Sequence, residues 1–500
     1  MVRRFVALFA LVLAAASPVA AAPTVTVDSG VLNGASSGDI DIYRGIPYAA
    51  PPVGPLRWMP PAAPARWSAP RDATAFGPIC PQPKRPDGIL AMGAEQPQSE
   101  DCLYLNVYAP HGAHNAPVMV WIHGGAHRFG SSSGPIYDGS NFARDGVVLV
   151  SINYRLGLLG YFAHPALTKE AAANAPLGNY GQMDQIAALQ WVKHNIAAFG
   201  GDPNNVTVFG ESAGGSSILY LLATPSAKGL FNKAIVESGG GWTVPITLAQ
   251  KEAEGEGFAA QVGLHNATPE QLRAIPAEKT LGIPAQLGFG PFVDGRLVPV
   301  SPTRAFRDGT AMDVSLVIGS NSFEASLMRS FSIPPDRILG RLTPETRAAY
   351  ASDAASDDAL AAAVFTDSAM GAPAHWIAAR AASGAPSWLY HFSYVASIRR
   401  GMAPGAAHGT EIPYVFSTGS ALASRFGISL RDDDRAMEAL MHSCWVGFAK
   451  TGTPECNGVN WPAYTPASDQ LLEFGPKVEV ISGFRKAQYQ ALESTLLPHF

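Results

Sequence analysis

The 500-residue sequence predicts an α/β fold with a central, mostly parallel sheet flanked by helices. Two patterns carry this expectation: short β-branched runs recur along the chain, and helical periodicity fills the stretches between them. Apolar residues make up 47% of the chain, enough for a large core. The runs at 118–122, 147–152, 206–209, 234–236, 314–318 and 388–394 are nearly continuous in apolar residues, as strands buried on both faces are. Residues 180–199 place apolar side chains at helical spacing. Near 243–291 and 335–386 the chain turns Ala-rich and helical, which reads as insertions capping the sheet's edge. Length alone, at roughly 150 residues per domain, would allow about three domains. No linker isolates the insertions, so a single domain over 23–500 is expected.

Composition narrows the function. Charged residues are 15% of the chain, against about 25% in an average globular protein. The net charge of −5 leaves no basic footprint for nucleic acid. Gly 50 and Pro 41 imply many turns, yet stay below the composition of low-complexity disorder. A large, loop-rich, near-neutral enzyme is what these numbers leave.

The first 22 residues read as a cleavable signal peptide. Arg3 and Arg4 supply the positive start, 5–16 the apolar stretch, and 18–22 the small-residue cleavage site, with cleavage after Ala21 or Ala22. The apolar run is shorter than the roughly 20 residues a membrane anchor needs. A secreted or periplasmic, soluble mature protein is therefore expected, without membrane insertion. Export permits disulfides. Cys80, Cys102, Cys444 and Cys456 allow three pairings, and the spacing favours two local bridges, 80 to 102 and 444 to 456, over four buried thiols.

Chemistry first appears at Gly210-Glu211-Ser212-Ala213-Gly214. This G-x-S-x-G follows a predicted strand and precedes a predicted helix, the context in which a sharp turn lifts a nucleophilic serine above the sheet. Acyl transfer also needs donors aimed at an oxyanion. His123-Gly124-Gly125-Ala126 follows the strand at 118–122 and can supply the N–H groups of Gly125 and Ala126, opposite that of Ala213.

The chain resembles the type B carboxylesterases, the family of liver carboxylesterases, cholinesterases and many bacterial esterases. The resemblance rests on Tyr43-Arg44-Gly45-Ile46-Pro47-Tyr48-Ala49, Pro51-Pro52-Val53-Gly54, Ser99-Glu100-Asp101-Cys102-Leu103-Tyr104-Leu105-Asn106, Asn153-Tyr154-Arg155 and the serine pentapeptide. It implies the α/β-hydrolase fold, its helical insertions forming a cap and gorge, and a serine ester hydrolase with no cofactor. In that fold the triad partners follow the serine as acid, then histidine. Glu324, after the strand at 314–318, matches the family's glutamate, although Phe323 and Ala325 depart from its usual Asp and Gly. Asp313 competes but precedes the strand. Of twelve histidines, His408 matches the family's His-Gly-x-Glu loop. The resemblance also pairs Arg57 with Glu100 and Arg155 with Asp184 as structural braces. No His/Cys/Asp cluster has metal-ligand spacing.

Two departures bear on the substrate. Ala126 stands where the family carries a third glycine, and His127-Arg128 where it usually carries aromatics. By resemblance His127 and Arg128 face the gorge, with Trp242 as a further substrate contact and Glu211 either a substrate contact that tunes the gorge's electrostatics or a purely structural hydrogen-bonding residue. A guanidinium at Arg128 suits a substrate bearing carboxylates, as in the exported bacterial fumonisin esterases, which cleave tricarballylate esters. An Arg128 paired internally is the competing expectation. A short-chain esterase, lipase or amidase on the same triad stays open, as does a non-catalytic binding module on the same fold. The partner expected is a small ester; oligomeric state is not legible.

Overall fold

The computed structural model describes residues 22–83, 96–242, 244–282 and 288–500. The expected signal peptide, through Ala21, lies outside the described residues. In chain order the strands are β1 (Thr24–Val27), β2 (Gly30–Asn33), β3 (Ala35–Ser37), β4 (Ile40–Pro47), β5 (Arg71–Asp72), β6 (Tyr104–Pro110), β7 (Ala116–Ile122), β8 (Val148–Ile152), β9 (Gly201–Glu211), β10 (Lys233–Glu237), β11 (Ser315–Asn321), β12 (Ser387–Phe392), β13 (Gln470–Phe474) and β14 (Val478–Ser482). β1, β2 and β5 form a small sheet; the other eleven form one large sheet ordered β14-β13-β12-β11-β10-β9-β7-β8-β6-β4-β3.

From β8 across to β13 the neighbours pair in parallel, and the flanking strands are antiparallel. The pleat explains why the central runs are apolar throughout. On β7, Val118, Val120 and Ile122 enter one hydrophobic cluster, while Met119 and Trp121 enter the cluster on the other face. The large sheet is thus covered on both sides.

The helix expected over 180–199 is Tyr180–Asn195, extended by a 3-10 turn, Ile196–Phe199, and stopped by Gly200 at φ 79°. In the first insertion, helix Leu248–Gln261 brings Phe258 edge-on to Phe162, with ring centroids 5.8 Å apart. The second insertion departs from expectation. Its helix Ala372–Ala381 packs on β11 and β12, over a face of the sheet, because Trp376 and Ile377 are apolar enough to cover the interior strands. Cys80 is bonded to Cys102 and Cys444 to Cys456. No helix among the described residues is long and apolar enough to cross a membrane.

The parallel strands β7, β9, β10, β11 and β12 all end along one edge, where Ile122 pairs with Gly210, Glu211 with Glu237, and Asn321 with Phe392. Loops leaving these carboxyl ends hold every candidate catalytic residue, as open parallel sheets favour.

Candidate active site

Strand β9 ends at Glu211 and helix Ala213–Leu222 begins two residues later, so Ser212 alone makes the turn. It sits at φ 57°, ψ −120°, a conformation that costs a non-glycine residue about 1–3 kcal/mol. The flanking glycines permit it. A Cβ on Gly210 would lie 2.6 Å from the carbonyl oxygen of Ile122, and one on Gly214 would overlap that same oxygen. The Ser212 N–H donates to the Glu237 carbonyl at 2.8 Å, fixing the elbow to the end of β10.

The loop after β7 faces this elbow. Gly124 packs against Ser212: a Cβ there would stand 3.1 Å from the serine's own. Gly125, Ala126 and His127 follow at φ 107°, 56° and 54°, three successive residues with positive φ. This run turns the chain back, and the Arg128 and Phe129 N–H groups close on the Gly125 carbonyl at 3.0 and 2.9 Å. The N–H groups of Gly125, Ala126 and Ala213 donate to no carbonyl among the described residues. Ala126 adopts the left-handed turn that a glycine would take more easily.

The acid and the imidazole come from two loops stitched together. The Phe323 N–H donates to the Ala406 carbonyl at 2.8 Å, and the His408 N–H to Ser326 Oγ at 3.0 Å. Phe323, where the family has Asp, therefore serves the seam through its backbone. Glu324 is fully buried and accepts from the Asn321 N–H at 2.7 Å and from Ser238 Oγ at 2.5 Å. Its other oxygen lies 2.6 Å from His408 Nδ1. Asp313, the competing acid, sits before β11 and accepts the Ala385 N–H at 2.6 Å, with no contact to His408 among the described residues.

Carboxylates surround the imidazole. Glu211 brings Oε1 to 3.0 Å from His408 Nε2, without the alignment of a hydrogen bond, so its attraction is electrostatic. Burial draws the His408 pKa down, but the charges of Glu211 and Glu324 outweigh it and hold the pKa well above the ordinary 6.5. Glu411 and Glu237, both fully buried, complete the cluster. Burial, then Glu211, pushes Glu237 up to about 8, against the hydrogen bond from Trp445 Nε1 at 2.8 Å. Burial likewise raises Glu411 well above the carboxylate range, helped by its three glutamate neighbours and opposed by Asn321. The sequence marks Glu411 only as the last residue of the His-Gly-x-Glu loop and gives Glu237 no local signature. The parallel register that sets Glu237 beside Glu211 was the available signal.

Three expected substrate contacts need correction. His127 does not face a gorge: the positive-φ run turns its ring inward, where Nε2 meets Ser217 Oγ at 2.9 Å and the ring packs edge-on against Tyr161. Burial pushes its pKa to about 3, so it is neutral. Trp242 is a core residue, buried and stacked 6.3 Å from Phe500. Glu211 addresses the imidazole instead of a substrate. Arg128 is different. It is only partly buried, with its guanidinium 5.5 Å from the Phe129 ring and 5.6 Å from that of Phe289. The two braces are present: Arg57 grips Glu100, and Arg155 meets buried Asp184 at 2.7 Å.

Comparison with known proteins agrees with this geometry. Residues 21–492 match the Carboxylesterase family. The para-nitrobenzyl esterase of Bacillus subtilis (strain 168) is 38% identical over 480 residues, covering 91% of this chain and 95% of that protein. The fumonisin B1 esterase of Sphingopyxis macrogoltabida is also 38% identical, over 484 residues, covering 90% and 86%. Among solved structures, a para-nitrobenzyl esterase superposes with a TM-score of 0.83 at 35% identity, covering 94% of this chain and 99% of that one. A serine on a strained elbow, in a chain matched over most of its length by ester hydrolases, leads to one conclusion: the protein belongs to the carboxylesterase family and is a serine ester hydrolase.

Proposed function

We propose that Ser212, His408 and Glu324 form the catalytic triad, and that the preferred substrates are carboxylic esters bearing further carboxylates. The 2.6 Å contact between Glu324 and His408 Nδ1, beside the Ser212 elbow, carries the triad. His408 Nε2 takes the Ser212 proton as Oγ attacks the ester carbonyl. Glu324 holds the tautomer that leaves Nε2 unprotonated and stabilises the imidazolium that follows. The N–H groups of Gly125, Ala126 and Ala213 receive the oxyanion, each worth about 3 kcal/mol. The imidazolium then protonates the departing alcohol, leaving an acyl-Ser212. Water, activated by the same imidazole, releases the acid.

The substrate class rests on Arg128. Two relatives of equal identity bear names for different esters, so overall likeness does not choose between them. A half-buried guanidinium on the oxyanion loop supports the polycarboxylate reading, because a guanidinium can grip a carboxylate bidentately. In this reading the chain from 23 to 500 is a single domain, and the two disulfides favour an exported, oxidising location. The test pairs a tricarballylate ester with a neutral nitrophenyl ester. Arg128→Ala should lose about tenfold or more in kcat/KM on the first and little on the second. Equal losses would remove the polycarboxylate reading, and full activity in Ser212→Ala would remove the triad.

A further inference from the structure

A second cavity lies against the catalytic loops without sharing their reactive side chains. It holds about 370 Å³, within the range of small-molecule sites. Its wall includes both neighbours of Glu324, Phe323 and Ala325, and the two residues before His408, Ala406 and Ala407. Ser212, Glu324, His408 and the oxyanion loop are not part of it. The cavity therefore sits at the seam that joins the acid loop to the histidine loop.

Its chemistry is mixed in a particular way. Phe323, Tyr394, Tyr414 and Met402 give it an apolar body, and Met402 is 76% exposed, an unusual state for a thioether without a partner. Arg329, from the end of helix Ser326–Ser330, and Arg399 also line it. Both are exposed, and neither guanidinium forms an ion pair or a side-chain hydrogen bond among the described residues. Arg400, next in sequence, is engaged by Asp433 at 2.5 Å and by Tyr394 at 2.6 Å. Two uncommitted guanidiniums beside an aromatic wall fit one ligand chemistry: a carboxylate for the arginines and an apolar body for the aromatics.

We propose that this cavity binds an organic carboxylate with an aromatic or branched apolar body, at a site separate from Ser212. The inference stands whatever ester Ser212 cleaves.

The test uses the full protein with Ser212 capped by a small phosphonate, titrated calorimetrically with 1-naphthylacetate. Saturable binding is expected, at least tenfold weaker for the neutral amide 1-naphthylacetamide and at least tenfold weaker for Arg329→Ala/Arg399→Ala. Ala403→Trp, which fills the cavity from its rim, should abolish it. All variants should keep their hydrolysis rate on a neutral ester before capping, which verifies their folding. Equal binding of acid and amide, undiminished binding in the double arginine variant, or no binding by the capped wild type would each overturn the proposal.

Discussion

Glu211 holds its carboxylate 3.0 Å from Nε2 of His408, the nitrogen proposed to take the serine proton, while Glu324 holds Nδ1 at 2.6 Å. The imidazole is thus flanked by negative charge on both sides, in a pocket that also buries Glu237 and Glu411. A base must be neutral to act. With its pKa held well above 6.5, His408 becomes neutral only as pH rises through that higher value. The acid limb of kcat/KM should therefore lie above the usual histidine range, with activity growing toward alkaline pH. Glu211→Gln should move that limb down, toward 6.5, because a positive charge loses one of its two partners. A limb at or below 6.5 in the wild type, or one unmoved by the substitution, would contradict the arrangement.

Glu324→Gln keeps the size of the side chain but lets an amide hydrogen meet Nδ1, which favours the wrong tautomer. A fall in kcat of roughly 10³–10⁴-fold is expected with little change in KM, measured on a nitrophenyl ester. A loss below tenfold would show that another group orients the imidazole.

Arg155 and Asp184 form a bidentate pair that is almost fully buried. Removing one partner strands a charge in the interior. Asp184→Ala should cost about 3–5 kcal/mol in denaturant unfolding. A loss under about 1 kcal/mol would mean that water reaches the guanidinium.

The bridge between Cys444 and Cys456 closes a short loop onto helix Asp432–Thr451. Replacing both cysteines with Ala should lower stability by about 3 kcal/mol while leaving kcat nearly unchanged, because the triad loops do not depend on that turn. Unchanged stability in the double variant would contradict this.

What the sequence disclosed follows burial. Strands buried on both faces, such as β8 and β10, stand out as continuous apolar runs. β1 and β14, half-exposed and rich in Thr, Glu and Ser, do not. The start of β9 was hidden for the same reason, since Asp202, Pro203, Asn204 and Asn205 do not read as a strand. At the site, Ser212, Glu324 and His408 each carry a local signature, and the folded chain brings the latter two into contact. His127 shows the limit. Its neighbours suggested a gorge residue, but three successive positive φ angles turn it toward Ser217, and those angles depend on how the loop packs on the elbow. Glu237 was likewise invisible as chemistry until strand register set it beside Glu211.

The proposed chemistry depends on Ser212 as the nucleophile and His408 as its activating base. Covalent labelling with a fluorophosphonate, read by intact mass and peptide mapping, tests it most directly. One adduct per chain is expected, located on Ser212, with labelling abolished in Ser212→Ala and slowed at least 100-fold in His408→Ala. An adduct on another residue, or unimpaired labelling of Ser212→Ala, would contradict it.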